Sequence, residues 1–379
     1  MTTGPLSGRY LFVAFMVIGA APAAAQNVSA KAAGIGETPS GNALIARLGA
    51  PGSVVAENTN PTAGVTEWRL SNGARVLVKP TSFAAGEVVF SAYSPGGSSL
   101  IADADYISAS LAPNILQLGG LGRFSQMELA QKLSGKVAKV ESTIGSTSEE
   151  LSGSASPRDL ETLFELIHLS FTEPRVDAAA FRTFKDRVAR GLSNRSALEV
   201  FNDSVTLVMA QHHFRSRPLT APVFNEADPA RALAVYKDRF AEAGDFTFVF
   251  VGDINLSALK LLSEQYLANL PANGRRERWK DVEPQPPAGV VEKTVRIGNA
   301  RLATTQIYFH GPFQYTVDNR VVMRATIELL QNRLSEALRT QLGGGSATVQ
   351  GGPSRIPRAE YLIRVELETL PQGADKLTQ

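Results

Sequence analysis

The predicted order of strands and helices in this chain occurs once in full and then begins a second time. A complete unit is predicted from about Val65 to Leu270, and the pattern restarts after a Pro-rich stretch at 277–290. The second unit has no counterpart of the C-terminal helices of the first, nor of its buried run FTFVFV at 246–251. Such self-similarity predicts a chain of repeated modules, one complete and one truncated.

The first unit opens with a hairpin, because apolar residues alternate on both sides of the turn dipeptide Asn72-Gly73. Strand patterns follow at 87–97 and, as a pair, around 136–156. A helix is predicted over 103–120. A second helix begins near Pro157 and is amphipathic, since its apolar residues are spaced by three and four: Leu160, Leu163, Phe164, Ile167 and Phe171.

The turn after FTFVFV could open a phosphate site or simply join two scaffold elements. Gly252-Asp253 has no companion glycines of the kind that cradle a phosphate, and Asp253 or Asn255 can serve as a helix N-cap. The pattern therefore favours a scaffold role.

In the second unit, strands are predicted near Val291–Arg296 and Thr304–His310, and a long helix over about 319–342. The last residues, PQGADKLTQ, resemble the start of the Pro157 helix.

The N-terminus has the pattern of a secretory signal peptide over residues 1–25. Arg9 precedes the apolar run LFVAFMVI, and Ala23-Ala24-Ala25 provides an Ala-x-Ala exit. The alternative is a membrane anchor, but the apolar run is shorter than the roughly 20 residues that span a bilayer. The sequence thus predicts export to a bacterial periplasm, with no stable membrane span.

Composition excludes several classes of function. Hydrophobic residues make up 44% and charged residues 20% of the chain, which is typical of a globular protein. The formal net charge of +2 on 379 residues gives no reason to expect a nucleic-acid partner. The chain has no cysteine, so disulfides, thiolate metal sites and cysteine nucleophiles are absent.

These patterns predict an α+β fold with antiparallel-rich sheets and helices packed on one face. The expected organisation is a signal peptide at 1–25, a Gly/Ala/Pro/Ser-rich flexible leader at 26–64, a complete module at 65–275, a Pro-rich linker at 276–290, and a truncated second module at 291–379.

No constellation of residues forms an active site by itself. The histidines are few, and His212 and His213 are adjacent, so on a helix their side chains diverge by about 100° and cannot chelate one ion. His168 and His310 have no second histidine three or four residues away, which argues against a zinc site held by this chain. Asp103 and Asp105 suit a helix N-terminus better than a catalytic pair.

Five blocks, taken in order, resemble the pitrilysin/insulinase family of zinc metallopeptidases, and its C-terminal half in particular. They cover roughly Val65 to Gln379 and read WRLSNGARVLVKPT, VVFSAYSPGGSSL, LSGSASPRDLETLFELIHLSFTEPR, YKDRFAEAGDFTFVFVGDINLSALKLLSEQYLANLP and ALRTQLGG. The resemblance implies repeated α+β modules in two halves that close over a peptide, with zinc on an inverted His-x-x-Glu-His helix of the first module. The helix in the matching position here, SASLAPNILQL (Ser108–Leu118), has no His or Glu. The resemblance therefore implies a non-catalytic module, with no zinc in this chain and zinc in a catalytic half elsewhere.

The resemblance also implies one substrate-contacting residue, Arg339, which matches an Arg of the family's C-terminal half. Where the family has a Tyr a few residues later, this chain has Ser346, which is too short to offer a hydroxyl to a tetrahedral intermediate.

Three functions remain open. The chain is a non-catalytic half that forms part of a peptide-binding chamber with a zinc-bearing partner, or a structural or binding subunit that kept the fold without proteolysis, or an inactive fragment of a longer exported zinc peptidase. The expected partners are a peptide substrate and a zinc-bearing peptidase half, or a second copy of the chain. Proteolysis by the chain alone is not expected.

Overall fold

A computed structural model describes residues 43–296, 302–341 and 345–371. It confirms the α+β class. The strands are β1 (Val54–Asn60), β2 (Val65–Leu70), β3 (Arg75–Pro80), β4 (Val88–Pro95), β5 (Ala138–Ile144), β6 (Ser148–Ala155), β7 (Thr247–Gly252), β8 (Ala303–Pro312), β9 (Ser346–Ser354) and β10 (Glu360–Thr369). The helices are α1 (Tyr106–Gly119), α2 (Gln126–Lys132), α3 (Leu160–Thr172), α4 (Ala178–Ser193), α5 (Ala197–Met209), α6 (Ala221–Asn225), α7 (Pro229–Arg239), α8 (Leu256–Leu262) and α9 (Val317–Gln341).

The first unit is built on a seven-stranded sheet in the order β1-β2-β3-β7-β4-β6-β5. Every neighbouring pair is antiparallel except β3 and β7, which run parallel. The β2–β3 hairpin turns at Asn72-Gly73 as predicted, with Gly73 at a φ of 90°. The Asn72 amide donates to the carbonyls of Leu267 and Leu270, so the same turn also anchors the end of the unit.

Helices cover one face of this sheet and leave the other open. Along β4, buried Val88, Phe90 and Ala92 alternate with exposed Val89 and Tyr93. The buried side of the sheet packs against α3, nearly all of whose residues are buried. Burial of so many aromatic and aliphatic side chains on one face is the main source of the unit's stability. The core aromatic residues are Phe90, Phe164, Phe171, Phe240, Phe246, Phe248 and Phe250.

The turn after β7 is part of the scaffold. The Asn255 side chain accepts a hydrogen bond from Ala258 N at 3.0 Å and is the N-cap of α8. The Asp253 carboxylate accepts one from Gly86 N at 3.0 Å, which ties this turn to the loop before β4. Both side chains accept hydrogen bonds from backbone amides of the protein, so the turn connects two elements.

The second unit is a three-stranded antiparallel sheet in the order β8-β10-β9, with α9 packed against β9. The connection β8–α9–β9–β10 reproduces the first unit's connection β4–α1–α2–β5–β6, whose strands lie in the order β4-β6-β5. Its core is small, with five buried hydrophobic side chains among the described residues: Leu338, Val349, Ile363, Val365 and Leu367.

Two parts of the sequence prediction are wrong. Residues 54–60, within the predicted flexible leader 26–64, form β1 and pair with β2. Residues 291–296, predicted as a strand, carry no helix or strand. Strand β1 forms because its backbone pairs with β2, although its sequence is polar and has no apolar alternation. Residues 291–296 have an alternating pattern, but none of the described strands pairs with them. The predicted signal peptide and the final PQGADKLTQ beyond Pro371 lie outside the described residues.

The Pro-rich linker is held against the first unit by polar contacts. Arg276 donates to Asp245 Oδ1 at 2.8 Å, and Glu277 N donates to Asp245 Oδ2 at 2.8 Å. Further along, Arg358 of the second unit contacts both oxygens of Asp281 at 2.6 Å. The first part of the linker is therefore docked on the first unit, and Asp281 connects it to the second.

No helix within the described ranges combines the length and apolar character needed to cross a membrane.

Candidate functional site

The candidate site is the sheet face of the second unit that points away from α9. In β10, Ile363, Val365 and Leu367 face the helix and are buried. Because successive side chains of a strand point to opposite faces, the alternate residues Arg364, Glu366 and Glu368 lie on the open face.

Register places polar partners beside these three residues. Arg364 lies opposite Tyr308 of β8 and Gln350 of β9, and Glu366 lies opposite Gln306. The open face of this unit is therefore a polar surface assembled from all three strands.

Hydrogen bonds connect this polar face into a row. Tyr308 donates to Gln306 Oε1 at 2.9 Å, and Gln306 Nε2 donates to Glu366 Oε2 at 2.6 Å. Arg364 donates to Gln350 Oε1 at 3.1 Å and lies 3.9 Å from Glu366 Oε2. Side chains held in this way already have fixed orientations. They can therefore offer donors and acceptors to an extended chain at a lower cost in side-chain entropy on binding.

The two positions taken from the family pattern lie near one end of the unit. Ser346 is the first residue of β9, and its hydroxyl donates to Glu368 Oε2 at 3.2 Å, on the open polar face. Arg339 is exposed in the last turn of α9, where a cation is favourable at the C-terminus of a helix. A substrate contact by Arg339 stays a prediction.

The described residues contain no group of three or more His, Cys, Asp or Glu that could hold a metal ion. Half-buried His168 has its Nδ1 3.0 Å from the carbonyl oxygen of Tyr266, and burial lowers the pKa of His168. Glu165, three residues earlier, accepts hydrogen bonds from the amides of Leu44 and Ile45 at 2.9 and 3.2 Å. This pair therefore serves local structure.

His213, His310 and the paired aspartates also have structural partners. His213 Nδ1 accepts a hydrogen bond from Arg215 N, and His310 Nε2 lies 3.3 Å from the carbonyl oxygen of Pro287. Asp103 pairs with Arg215 at 2.7 Å and Asp105 pairs with Arg231 at 2.7 Å. The two carboxylates are thus neutralised by different arginines and do not form a catalytic pair.

Sequence reasoning missed a buried charged cluster behind the Gly96-Gly97 turn. Gly97 N donates to Glu149 Oε2 at 2.6 Å, and Gly97 has a φ of 61°, which favours glycine. Arg239, 5% exposed, lies in the same cluster and contacts Glu277 of the linker at 2.9 Å. Burial raises the pKa of Glu149 to about 7, although the Gly97 amide and Arg239 act in the opposite direction.

The cluster's only sequence signal is that Glu149 falls on the helix-facing side of β6, since it shares the alternation of buried Leu151. Its contacts hold the Gly-Gly turn and the linker in place, so its role is structural.

Comparison with known proteins shows which family part of the chain resembles. Residues 228–377 match the model of a family described as the peptidase M16 inactive domain. A relative from Arabidopsis thaliana, a zinc protease PQQL-like protein, is 25% identical over 231 residues, which is 60% of this chain and 22% of that protein. The probable zinc protease PqqL of Haemophilus influenzae is 22% identical over 337 residues, or 86% of this chain and 35% of its own length. The chain thus spans about a third or less of these relatives.

Solved structures share the fold. The periplasmic protease PqqL from Escherichia coli has a TM-score of 0.72 at 19% identity, covering 89% of this chain and 37% of that one. A mutant of the ferredoxin protease FusC, in complex with Arabidopsis ferredoxin, has a TM-score of 0.73 at 20% identity, covering 94% and 38%. A peptidase M16 inactive domain from Pseudomonas fluorescens has a TM-score of 0.61 at 18% identity, covering 83% and 76%.

Proposed function

We propose that the chain forms the non-catalytic wall of a peptide-binding chamber, on the support that residues 228–377 match the model of the peptidase M16 inactive domain. The resemblance to pitrilysin/insulinase-type zinc peptidases, read from its five sequence blocks, is confirmed. In this proposal a zinc-bearing partner half supplies the metal and the water-activating groups, and this chain holds the peptide against them.

The observation that carries the proposal is the open polar face of the second sheet. An extended peptide carries alternating backbone donors and acceptors, and the row Tyr308, Gln306, Glu366 and Arg364 offers both kinds of group at fixed positions. The first sheet also leaves a face open, where Ser91 and Tyr93 of β4 point away from the helices. Both units therefore offer a surface of sheet to a substrate.

The metal chemistry belongs to the partner in this proposal. Helix α1, which the resemblance matches to the family's zinc helix, contains no His or Glu. A catalytic zinc needs protein ligands in fixed geometry and an open position for water. The chain's contribution is then to bind and orient the peptide, which can account for a large share of rate acceleration when the reacting groups lie in another subunit.

We further propose that the protein acts in a bacterial periplasm. The support is the n-region, apolar run and Ala-x-Ala exit of residues 1–25, together with the periplasmic protease PqqL of Escherichia coli, which shares the fold.

The test is binding of an unfolded polypeptide to the open sheet face. Fluorescein-labelled, carboxymethylated α-lactalbumin is titrated with the protein and followed by fluorescence anisotropy. We expect saturable binding that Arg364→Ala weakens by roughly fivefold, since a hydrogen-bonded cation contributes about 1 kcal/mol at a partly exposed interface.

The matched control is Arg324→Ala on the exposed side of α9, where the arginine is 72% exposed and pairs only loosely with Glu328 at 3.5 Å. This variant is expected to bind like the wild type. Absence of saturable binding, or equal losses in the two variants, would contradict a peptide-binding role for this face.

A further inference from the structure

The Pro-rich linker is attached to buried side chains beside the Gly-Gly turn that follows β4. Lys280 N donates to the hydroxyl of buried Ser99 at 2.9 Å. Buried Arg239 donates to both carboxylate oxygens of Glu277, at 2.9 and 3.1 Å. Residues 277–280 are therefore docked on the first unit at two points, by an arginine and by a serine.

Arg239 faces more carboxylates than it can neutralise. Its guanidinium lies 2.6 Å from Asp238 and 2.9 Å from Glu277, and Glu149 faces it as well. The second cation of the group is Arg275, which pairs with Asp238 at 2.9 Å. With all three carboxylates ionised, three negative charges would share two positive ones, so the docked cluster is most stable when one carboxylate is protonated.

Glu149 is the carboxylate that holds this proton. It is 1% exposed, whereas the side chains of Glu277 and Asp238 are 18% and 56% exposed, and the group most shielded from water loses most by being charged. A Cβ at Gly96 would lie 3.2 Å from Arg239 Nη1 and from both Glu149 oxygens, so the guanidinium and this carboxylate border the same space.

The groups that face Glu149 come from four parts of the chain: Ser94 of β4, Gly97 N of the turn, Arg239 of α7 and Glu277 of the linker. Burial raises the pKa of Glu149 to about 7, and the negative charge of Glu277 acts in the same direction. The docked linker thus contributes to the proton affinity of Glu149.

We propose that protonation of Glu149 holds the linker in its docked position, and that its ionisation releases residues 277–280 from Arg239 and Ser99. Release moves the Glu277 carboxylate away from Glu149 and admits water to the cluster, and both changes favour the ionised form. Because the docked form binds the proton more tightly than the released form, protonation favours docking. Docking therefore weakens as pH rises from about 4.5, the value for a free glutamate, to about 7.

The consequence is a pH-dependent attachment of the second unit to the first. Asp281 follows Lys280 directly, and Arg358 of the second unit contacts both its oxygens at 2.6 Å. Release of 277–280 would leave this contact intact and loosen the part of the linker that joins it to the first unit. The inference does not depend on the proposed function, because it concerns the linker and needs no bound peptide.

Amide hydrogen exchange of the full protein tests the proposal. Exchange is followed by mass spectrometry at pH 5.5 and 8, and the rate at the Lys280 amide is divided into the intrinsic rate at each pH to give a protection factor. We expect protection to fall by about tenfold from pH 5.5 to 8. The amide of Asn273, which Glu242 holds at 2.7 Å, is the internal control and should change by less than about twofold.

Variants assign the effect to the cluster. In Glu149→Gln, which cannot ionise, Lys280 should be equally protected at the two pH values within about twofold. Glu150→Gln lies on the opposite face of the same strand and should keep the wild-type fall. Glu277→Gln changes a less buried residue, so it keeps the test open if Glu149→Gln does not fold. It should lower the protection of Lys280 at pH 5.5 by severalfold, because Arg239 loses its ionised partner in the linker.

His310 is the control for a second titrating group, since a histidine can change charge in the same pH range. Its Nε2 lies 3.3 Å from the carbonyl oxygen of Pro287 in the linker. His310→Gln should keep the wild-type fall in protection at Lys280.

Four results would overturn the proposal. The first is equal protection of Lys280 at pH 5.5 and 8 in the wild-type protein. The second is a wild-type fall in Glu149→Gln or its loss in His310→Gln. The third is unchanged protection at pH 5.5 in Glu277→Gln. The fourth is protection of Lys280 equal to that of the buried strand β7, which would mean that the linker opens only when the whole first unit unfolds.

Discussion

Glu149 shows how a single buried carboxylate can link the stability of this protein to pH. Its side chain is 1% exposed, and the groups that face it are Gly97 N, Ser94, Arg239 and Glu277. Burial disfavours the charged form, and the resulting pKa of about 7 lies above the value of 4.5 for a free glutamate. The folded state therefore binds this proton more tightly than the unfolded state does.

The sign of the pH effect follows from that difference. Between pH 4.5 and 7 the folded protein holds more protons at Glu149 than the unfolded chain, so stability falls as pH rises through about 7. From pH 5.5 to 8 the loss amounts to about 2 kcal/mol. We predict that Glu149→Gln removes this part of the pH dependence, as measured by urea unfolding at both pH values.

Glu150→Gln is the control, because it removes a carboxylate from the same strand on the opposite face of the sheet. That variant should keep the wild-type difference in unfolding free energy between pH 5.5 and 8. If Glu149→Gln also kept the difference in unfolding free energy between pH 5.5 and 8, the group that causes it would be a residue other than Glu149.

At the scale of elements, the sequence correctly predicted the strands and helices whose signal lies within a short stretch of chain. The β2–β3 hairpin, strands β4 to β6, α3 and α9 all follow from turn residues and apolar spacing. Strand β1 did not, because six of its seven residues are exposed, and it is held by backbone pairing with β2 and by contacts with distant residues, such as the ion pair of Glu57 with Lys260. A hydrophobic pattern cannot report a strand that buries no side-chain face.

The candidate site was even less accessible to sequence reasoning. The polar row on the second sheet depends on Arg364 lying opposite Tyr308 and Gln350, which is a matter of strand register. Register is set by pairing between distant segments and leaves no mark in either strand alone. The resemblance pointed only to Arg339 and Ser346, and of these Ser346 lies on the polar face.

The linker illustrates the same limit for an element without regular structure. Its proline content suggested a spacer, yet its first part is docked by Asp245 and Arg239 of the first unit. Just before the linker, Glu242 accepts hydrogen bonds from the amides of Asn273 and Arg275 at 2.7 and 2.9 Å. Backbone held in this way is protected from local opening.

We therefore predict that limited trypsin digestion cuts after exposed Lys293 and Arg296 before it cuts after Arg275 or Arg276. The rates should differ by roughly tenfold, because cleavage at the docked sites requires local unfolding. Mass spectrometry of the early fragments distinguishes the sites. The large fragment should retain β1, which is paired in the sheet, rather than begin at Val65.

Asp245→Ala sharpens this test, since it removes the carboxylate that accepts from Arg276 and from Glu277 N and leaves Arg276 only the carbonyl oxygen of Gly244 among its described acceptors. Cleavage after Arg276 should then accelerate. Asp281→Ala removes the contact with Arg358 instead and should leave Arg276 protected. Early cleavage at Arg276 in the wild-type protein would show that the linker is not docked in solution.

At the scale of the whole molecule, the proposed function raises the question of which residues would supply the chemistry of peptide hydrolysis. Hydrolysis of a peptide by this class of enzyme needs a zinc-polarised water, a carboxylate that takes its proton, and donors for the oxyanion. Nothing in the described ranges groups enough His, Asp or Glu to hold a metal. Arg339 offers at most a part of the third requirement, and Ser346 is already bonded to Glu368.

We predict that the isolated chain does not hydrolyse a quenched-fluorescent peptide above background, whether or not zinc is added, and that it retains only substoichiometric zinc after dialysis. Losing the metal and the base together removes the reaction instead of slowing it, because no other group among the described residues is placed to activate water. Arg339→Ala should change the rate only in a mixture with a zinc-bearing partner half. Chelator-sensitive cleavage by the isolated wild-type chain, free of contaminating protease, would refute the assignment of the chemistry to a partner.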